Sequence, residues 1–274
     1  MKKNLLKYTR ACLALLVFSA LFYSCKKAKI IETEYPAQVM YISQSAVAAV
    51  GPNANGVYAI TPNIPAQAYR FIVDAAAAKF NVPLGVIRSG VDLSGNVSAG
   101  ITVSTDTIAK AIFWGNLPAG TEVLPATAYT LPASVDVING SGYGTFTLAI
   151  DLNFLRTNLS KKYAVAVSIS NPKSVTVNPK LSLALIYIEP AQVLVPVASF
   201  SNYIDNPSKT ASFINFSANG ISYSWNFGDG SPADTTVSPS HKYALPGTYT
   251  VTLTTTGIAG TGIPSVLPAT VVIP

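Results

Sequence analysis

The sequence is short of charge, cysteine and histidine, and each shortage removes a class of function. Asp, Glu, Lys and Arg make up only 11% of the 274 residues, against about 25% in an average soluble domain. Such a chain builds its surface from Ser, Thr, Asn and backbone, which argues against a charged helical bundle. One histidine, His241, is present, so a multi-histidine metal site within one chain is excluded, and a Ser-His-Asp triad would have to use that residue. The two cysteines are Cys12 and Cys25. Both belong to the N-terminal apolar segment, so no disulfide framework is available further on, and the remainder must stand on hydrophobic cores. Motifs for cofactors are missing too. Gly140-Ser141-Gly142-Tyr143-Gly144 is neither a phosphate loop nor a nucleophile elbow; it reads as a hairpin turn. No clustered pair of acids marks a glycosidase, which needs two carboxyls about 5–9.5 Å apart.

The net charge of +6 comes from the N-terminus. Seven of the eighteen basic residues lie at or before Lys29, which leaves eleven against twelve acids in the rest. No basic body remains to suggest nucleic-acid binding. What the chain has in plenty is hydrophobic residues (49%), with 18 glycines and 19 prolines. Many of the latter punctuate short apolar runs, as turns between strands do.

Residues 1–10 are basic, and residues 11–23 (ACLALLVFSALFY) form an apolar stretch. It is too short to cross a ~30 Å hydrocarbon core, which needs about 20 residues, and it fits a secretory signal instead. The segment ends Phe22-Tyr23-Ser24-Cys25, a small residue before a cysteine that resembles the bacterial lipobox. That resemblance implies a signal peptide over 1–24, a diacylglyceryl group on the Cys25 thiol, and attachment to a membrane, expected to be the outer membrane of a cell envelope. Residues 25–34 then form a lipidated tether. Its Lys26, Lys27 and Lys29 are head-group contacts or a solvated run, and they leave open whether the protein faces the cell surface or the periplasm.

Period-two alternation predicts strands at Val39–Ile42, Tyr69–Val73, Ile101–Ser104, Gly144–Ile150, Tyr163–Ile169 and Leu181–Ile188, each with one face buried. Thr105–Phe113 starts with possible cap residues and predicts a short helix. Many strands and few helical turns predict a β-sandwich over 35–190. The order of Asp106–Lys110, Trp114-Gly115-Asn116, Leu124-Pro125, Tyr129–Pro132, Asp151 with Leu155, and a Tyr163 strand running to Asn171-Pro172 resembles the uncharacterised N-terminal domain of many Bacteroidota envelope lipoproteins. The same domain precedes the catalytic domain of some endo-β-N-acetylglucosaminidases. The resemblance implies an immunoglobulin-like sandwich and an association with glycan handling, and it carries over no catalytic residue.

Glu189-Pro190-Ala191-Gln192 reads as a linker, and 193–274 as a second domain. Here Trp225-Asn226-Phe227-Gly228-Asp229-Gly230 is followed by His241-Lys242-Tyr243 and by Gly247-Thr248-Tyr249-Thr250-Val251. This is similar to the PKD (polycystic kidney disease) repeat and implies another immunoglobulin-like sandwich. Physically, Trp225 and Phe227 share one strand face, while Gly228, Asp229 and Gly230 suit a tight turn. Tyr249, Val251 and Leu253 alternate with threonines. His241 is expected to pack or hydrogen-bond. Asp229 with Asp205 and Asp234 would be the carboxylates for calcium, although turn formation suits Asp229 better. Tyr58, Trp114 and Tyr203 are candidate sugar-stacking aromatics.

The expected protein is therefore all-β, without catalytic residue, metal or cofactor. It would be a lipid-anchored envelope protein binding a polysaccharide or an envelope protein, with a structural spacer or an accessory part of a glycoside hydrolase system as alternatives. Replacing Cys25→Ser should move the protein from the membrane to the soluble fraction and abolish incorporation of labelled lipid. A variant that stays membrane-bound with its label intact would mean that a different anchor operates.

Overall fold

The computed structural model describes residues 37–49, 55–67, 69–170, 172, 175–259 and 263–274. Cys25, the signal segment and the tether lie outside them. Ala37–Pro274 forms one compact unit and is mostly β. It opens with β1 (Val39–Ile42), α1 (Ser43–Ala48), β2 (Val57–Ala59), β3 (Ile72–Asp74), β4 (Lys79–Arg88) and β5 (Val97–Ser104). Next come α2 (Asp106–Phe113), β6 (Thr121–Val123), β7 (Tyr129–Thr130), β8 (Ser134–Val137), β9 (Tyr143–Asp151) and α3 (Leu152–Thr157). Then follow β10 (Lys162–Ile169), β11 (Thr176–Val177), β12 (Leu183–Ile188) and α4 (Pro190–Leu194).

These strands make two six-stranded sheets. One runs β11-β1-β4-β9-β7 with β3 also on β4; the other runs β2-β12-β10-β5-β8 with β6 also on β10. Their facing side chains form one core. Phe80, Val82, Leu84, Val86 and Leu148 from the first sheet meet Val97, Ala99, Val165, Val167 and Ile186 from the second. Each of these side chains larger than alanine contributes about 1.5–3 kcal/mol by leaving water. The helix expected within 105–113 is present as α2. Asp151 ends β9 and caps α3, accepting from the Asn153 and Phe154 N–H groups at 2.8 and 3.4 Å, which answers two of the donors a helix start leaves unpaired.

The central strand β4 was not among the expected runs, because Pro83 and Gly85 interrupt it, and proline lacks the N–H that a ladder needs. The structure resolves the conflict locally. On one edge β4 pairs with β9 from Lys79 to Ile87. On the other it pairs with β3 at 79–81 and with β1 at 86–88, leaving 82–85 between them. Gln44 of α1 fills that gap. Its Oε1 accepts from the Gly85 N–H at 3.0 Å, and its Nε2 donates to the Pro83 carbonyl at 3.3 Å. A side-chain amide thus stands in for a neighbouring strand where proline offers only an acceptor.

Three other expectations are corrected. The run Tyr69–Val73 is strand only from Ile72, because Phe71 turns inward and stacks on Phe80 at 4.3 Å. Gly140–Gly144 is not a hairpin turn. β8 pairs with β5 and β9 with β4, in opposite sheets, so the chain arches between layers. A Cβ on Gly144 would lie 2.3 Å from the Asp136 carbonyl oxygen, so the arch needs glycine at the crossing. Glu189–Gln192 is not a free linker either: α4 begins at Pro190 and buries Val193 and Leu194 in the large core.

The remaining strands are β13 (Phe200–Asp205), β14 (Thr210–Asn215), β15 (Gly220–Asn226), β16 (Ser240–Lys242), β17 (Gly247–Gly257) and β18 (Ser265–Ile273). They form two three-stranded sheets, β13-β14-β16 and β15-β17-β18, around a second core of Phe213, Trp225, Phe227, Tyr243, Val251 and Leu253. Thr248, Thr250 and Thr256 of β17 are exposed, while Tyr249, Val251 and Leu253 turn inward. Thr255 continues the inner row and meets Ser217 Oγ at 3.1 Å.

A seam joins the two pairs of sheets, and Asn219 is its clasp. Its side-chain oxygen accepts from the Asn63 N–H at 3.0 Å, and its Nδ2 donates to the carbonyls of Gln192 and Val195 at 2.7 and 2.9 Å. Its own N–H donates to the Asn63 carbonyl at 2.7 Å. Asn219 is buried with φ +56°, a conformation asparagine tolerates better than most residues. Arg156 adds a bond from Nε to the Ile258 carbonyl at 2.9 Å, and Ile258 and Ala259 pack in the first core. Asn219→Ala should cost about 2–4 kcal/mol, since it strands buried backbone groups and puts alanine in a strained region. Calorimetry should show one unfolding transition for the parent and two for the variant. Two transitions in the parent would mean that the seam does not couple the halves.

Candidate functional site

The concave site of the first region forms beside α2. The outer face of the second sheet carries small residues, Ala164 and Ala166 on β10, against which Ile108 and Ala111 of α2 and Leu117 pack. This helix ends on a sequence device. The Asn116 N–H donates to the Ala111 carbonyl at 2.8 Å and the Gly115 N–H to the Ile112 carbonyl at 3.1 Å, with Gly115 at φ +73°. That is the glycine-terminated helix end in which the left-handed residue lets the last carbonyls be satisfied. Its consequence is directional. Phe113 and Trp114 stay outside, 80% and 74% exposed and edge-to-face at 5.2 Å, while Leu117 turns back into the small core.

Between this turn and the sheet edge lies a cleft of about 580 Å³, lined by Tyr58, Arg70, Asn55, Asn116 and Tyr187 among others. The Arg70 guanidinium lies 4.9 Å from the centre of the Tyr58 ring, and its Nη1 donates to the Ala59 carbonyl at 2.6 Å. Burial pushes the Tyr58 phenol up, with the Arg70 charge opposing. Tyr187 donates its hydroxyl to Glu189 at 2.5 Å, and Gln192 donates to the other oxygen of that carboxylate at 2.6 Å. Burial first, and then this bond, drive the Tyr187 phenol far above its ordinary range. It is a fixed neutral donor, not an acid or base for neutral pH. Among the described residues no carboxylate lines the cleft, so they set no pair of acids for glycoside hydrolysis there. The chemistry on offer is an aromatic wall, side-chain amides and a cation, which suits recognition.

The three candidate aromatics are not brought together. Tyr58 lines the cleft half-buried, Trp114 lines a neighbouring depression that shares Asn55 and Asn116 with it, and Tyr203 lies on β13, 70% exposed, in the other pair of sheets. Residue reading passed over Arg70, Asn55, Asn116 and Tyr187. The available signal was Gly115, whose helix-stopping role predicts that the residues on either side of it point in different directions.

The second motif converges on a core, not on a cleft. Trp225 is fully buried, and its indole N–H donates to the Thr236 carbonyl at 3.0 Å. Phe227 stacks on His241 with centres 4.0 Å apart, and Nε2 of His241 lies 2.7 Å from Oδ2 of Asp229. The other Asp229 oxygen accepts from the N–H and hydroxyl of Ser231 at 3.0 and 2.6 Å. Gly228 and Gly230 have φ +79° and +85°, and a Cβ on Gly228 would lie 2.4 Å from the Thr250 carbonyl oxygen. Tyr243 donates to the Phe227 carbonyl at 3.2 Å and packs on Tyr249 at 4.3 Å. Gly247 opens β17 beside the ring of Tyr249. Asp205 and Asp234 bind Ser208 and Thr236 instead of joining Asp229; among the described residues no cluster of acids, histidine or cysteine could hold a metal ion.

Residues 197–267 match the PKD domain family. The PKD1 domain of the Vibrio cholerae metalloprotease PrtV is 30% identical over 29% of this chain and 98% of that one, with a TM-score of 0.26. The chain belongs to the PKD domain family. Its PKD segment supplies the buried Trp225 cluster, and residues 52–176, which contain the cleft-lining Asn55, Tyr58, Arg70 and Asn116, match the model of an N-terminal domain family. Over both regions the chain is similar to an auxiliary nutrient binding protein from Bacteroides thetaiotaomicron, at 17% identity over 76% of this chain and 62% of that one, TM-score 0.37. It is also similar to EndoBT-3987 of Bacteroides thetaiotaomicron, solved with a Man5GlcNAc product, at 13% identity, TM-score 0.34. There it covers 41% of this chain and 26% of the enzyme, so most of the enzyme lies outside the match. No curated protein shows significant similarity.

Within the PKD segment the Asp229 carboxyl sets an acid limit. Burial opposes its ionisation, but the hydrogen bonds from Ser231 and His241 outweigh that and hold it at about 2 against an ordinary 3.8. A carboxylate depressed on folding contributes stability above its ordinary value and loses it as pH falls through the folded one. Thermal unfolding followed from pH 5 to pH 2 should therefore show the parent falling steeply below about pH 4 and Asp229→Asn, already less stable at pH 5, falling less. Parallel curves would remove Asp229 from the acid response.

Proposed function

We propose that this protein is a non-catalytic, lipid-anchored envelope protein that binds a glycan in the cleft beside α2. The observation that carries the reading is the cleft itself. Tyr58 and the largely buried Tyr187 line it, Asn55, Asn116 and Arg70 supply directional donors and acceptors, and the exposed Trp114 lines the adjoining depression that shares Asn55 and Asn116 with it. Sugars present apolar ring faces and hydroxyl edges, and a concave site with an aromatic surface and a few placed polar groups meets both. A lining without carboxylates among the described residues supports binding without turnover.

In this reading the acyl chains on Cys25 hold the protein at the outer membrane, and both regions are immunoglobulin-like sandwiches. Two or three chains, at ~0.8 kcal/mol per buried CH₂, make release negligible. The PKD segment serves as a rigid partner to the binding region. The Asn219 clasp supports that part, because a hydrogen-bonded seam holds the two regions in one orientation. A spacer without any ligand would use the same seam, but it has no need of the exposed Phe113 and Trp114 pair.

The test uses the soluble fragment 26–274 on a panel of polysaccharides, by affinity electrophoresis and then calorimetry. Binding in the micromolar to millimolar range is expected. Trp114→Ala and Arg70→Ala should each weaken it about tenfold, or ~1.4 kcal/mol, and Trp114→Ala should leave the melting temperature unchanged. Failure to bind any glycan, or equal binding by Trp114→Ala, would defeat the cleft as the site. Hydrolysis of a glycan by clean protein would defeat the non-catalytic part.

A further inference from the structure

The charged residues that line the cleft and the depression beside it are all cations among the described residues, with Glu189 bound to the Tyr187 hydroxyl outside the lining, and this narrows the ligand. A second depression of about 330 Å³ adjoins the cleft; both are lined by Asn55 and Asn116, and the Asn55 amide donates to the Asn116 carbonyl at 3.4 Å. The second depression is lined by Lys110, Lys180, Thr107 and Trp114 among others. Taken together as one groove, the two adjoining depressions carry Arg70, Lys110 and Lys180, and no acid among the described residues lines either part. The region beyond Lys29 has twelve acids against eleven bases, so a groove with three cations and no carboxylate departs from the surrounding surface.

Nor are these cations consumed by internal pairing. The ion pairs among the described residues are Lys161 with Glu122 and His241 with Asp229. Asp106, one turn before Lys110 on α2, makes no ion pair with it. The guanidinium of Arg70 makes one hydrogen bond among the described residues, to the Ala59 carbonyl, and is steadied by the Tyr58 ring. An arginine fixed at one end, with donors to spare and a half-buried setting, is suited to a planar or tetrahedral oxyanion. Lysines at the other end attract negative charge without demanding one geometry.

We infer that the groove takes a negatively charged glycan, one whose sugars carry uronate carboxylates or sulfate esters, with Arg70 holding one anionic group and Lys110 and Lys180 a second further along the chain. The inference rests on the glycan-binding reading above and adds the charge of the ligand. A neutral glycan would bring no counter-charge to these three cations, whereas an anionic one pairs them while the Trp114 face still receives a sugar ring.

Matched pairs of oligosaccharides test it, each measured by calorimetry with the fragment 26–274 at 20 mM and 300 mM salt. One pair is oligogalacturonate and its methyl ester; the other is a sulfated glucan and its unsulfated parent. The charged member of at least one pair should bind about tenfold or more tightly at low salt and lose most of that advantage at high salt. Which pair shows the effect tells carboxylate from sulfate. The double variant Lys110→Gln, Lys180→Gln, both at exposed positions, should abolish the advantage while leaving Tm unchanged. Equal or tighter binding of both neutral members would overturn the anionic inference and leave glycan binding intact. No binding of any member, together with a silent neutral panel, would overturn both. A charged preference that survives the double variant would place the anion elsewhere and overturn the assignment to this groove.

Discussion

Burial of one sheet face against another carries nearly all the long-range stability of this molecule. No cysteine lies beyond Cys25, two ion pairs are found among the described residues, and exposed pairs such as Lys161 with Glu122 contribute about 0–1 kcal/mol. The facing rows from Phe80 to Val86 on β4 and from Val165 to Val167 on β10 must therefore register correctly. A slip of one residue would turn each row toward water. Every other feature, including the cleft, sits on the outside of that packed pair.

This dependence explains how so awkward a strand as β4 can occupy the centre. Its inward residues, Phe80, Val82, Leu84 and Val86, are buried at 2% exposure or less. Their combined burial outweighs the hydrogen bond that Pro83 cannot make, and the two short partners β1 and β3 leave the gap in the ladder at that point. Gln44 then satisfies Gly85 and Pro83. The structure keeps its buried face and repairs the backbone with a side chain. Arg88 serves a similar purpose at the end of the strand. Buried, it donates to Gln38 and to the carbonyls of Leu93, Ser94 and Gly95, ordering a loop without a carboxylate partner.

The groove has a different origin. Its parts come from segments far apart in the chain: Asn55 and Tyr58 from β2 and the residue before its turn, Arg70 from the approach to β3, Asn116 from the turn after α2, and Tyr187 from β12. The small side chains of β10 let α2 lie close to the sheet, and the left-handed Gly115 ends that helix. The wall of the groove is the point at which the helix stops. Among the described residues the PKD segment contributes nothing to its lining, but it is tied to the first region through Asn219 and Ile258.

Periodicity and turn chemistry were enough to predict a mostly β protein, the helix α2 and the inward row Trp225, Phe227, Tyr249, Val251 and Leu253, because each depends on neighbours two to four residues away. The interaction of His241 with Asp229 was half legible: the residue types implied a hydrogen-bonding role, but not the partner. The cleft, the role of Gln44, the arch through Gly144 and the seam at Asn219 were not legible. Each depends on which distant strands lie side by side, and a local pattern says which face of a strand is buried without saying against what. For the same reason Arg70, Lys110 and Lys180 look like unrelated solvated charges in the sequence; only the packing of α2 on the second sheet sets them around two adjoining depressions that no acid among the described residues lines.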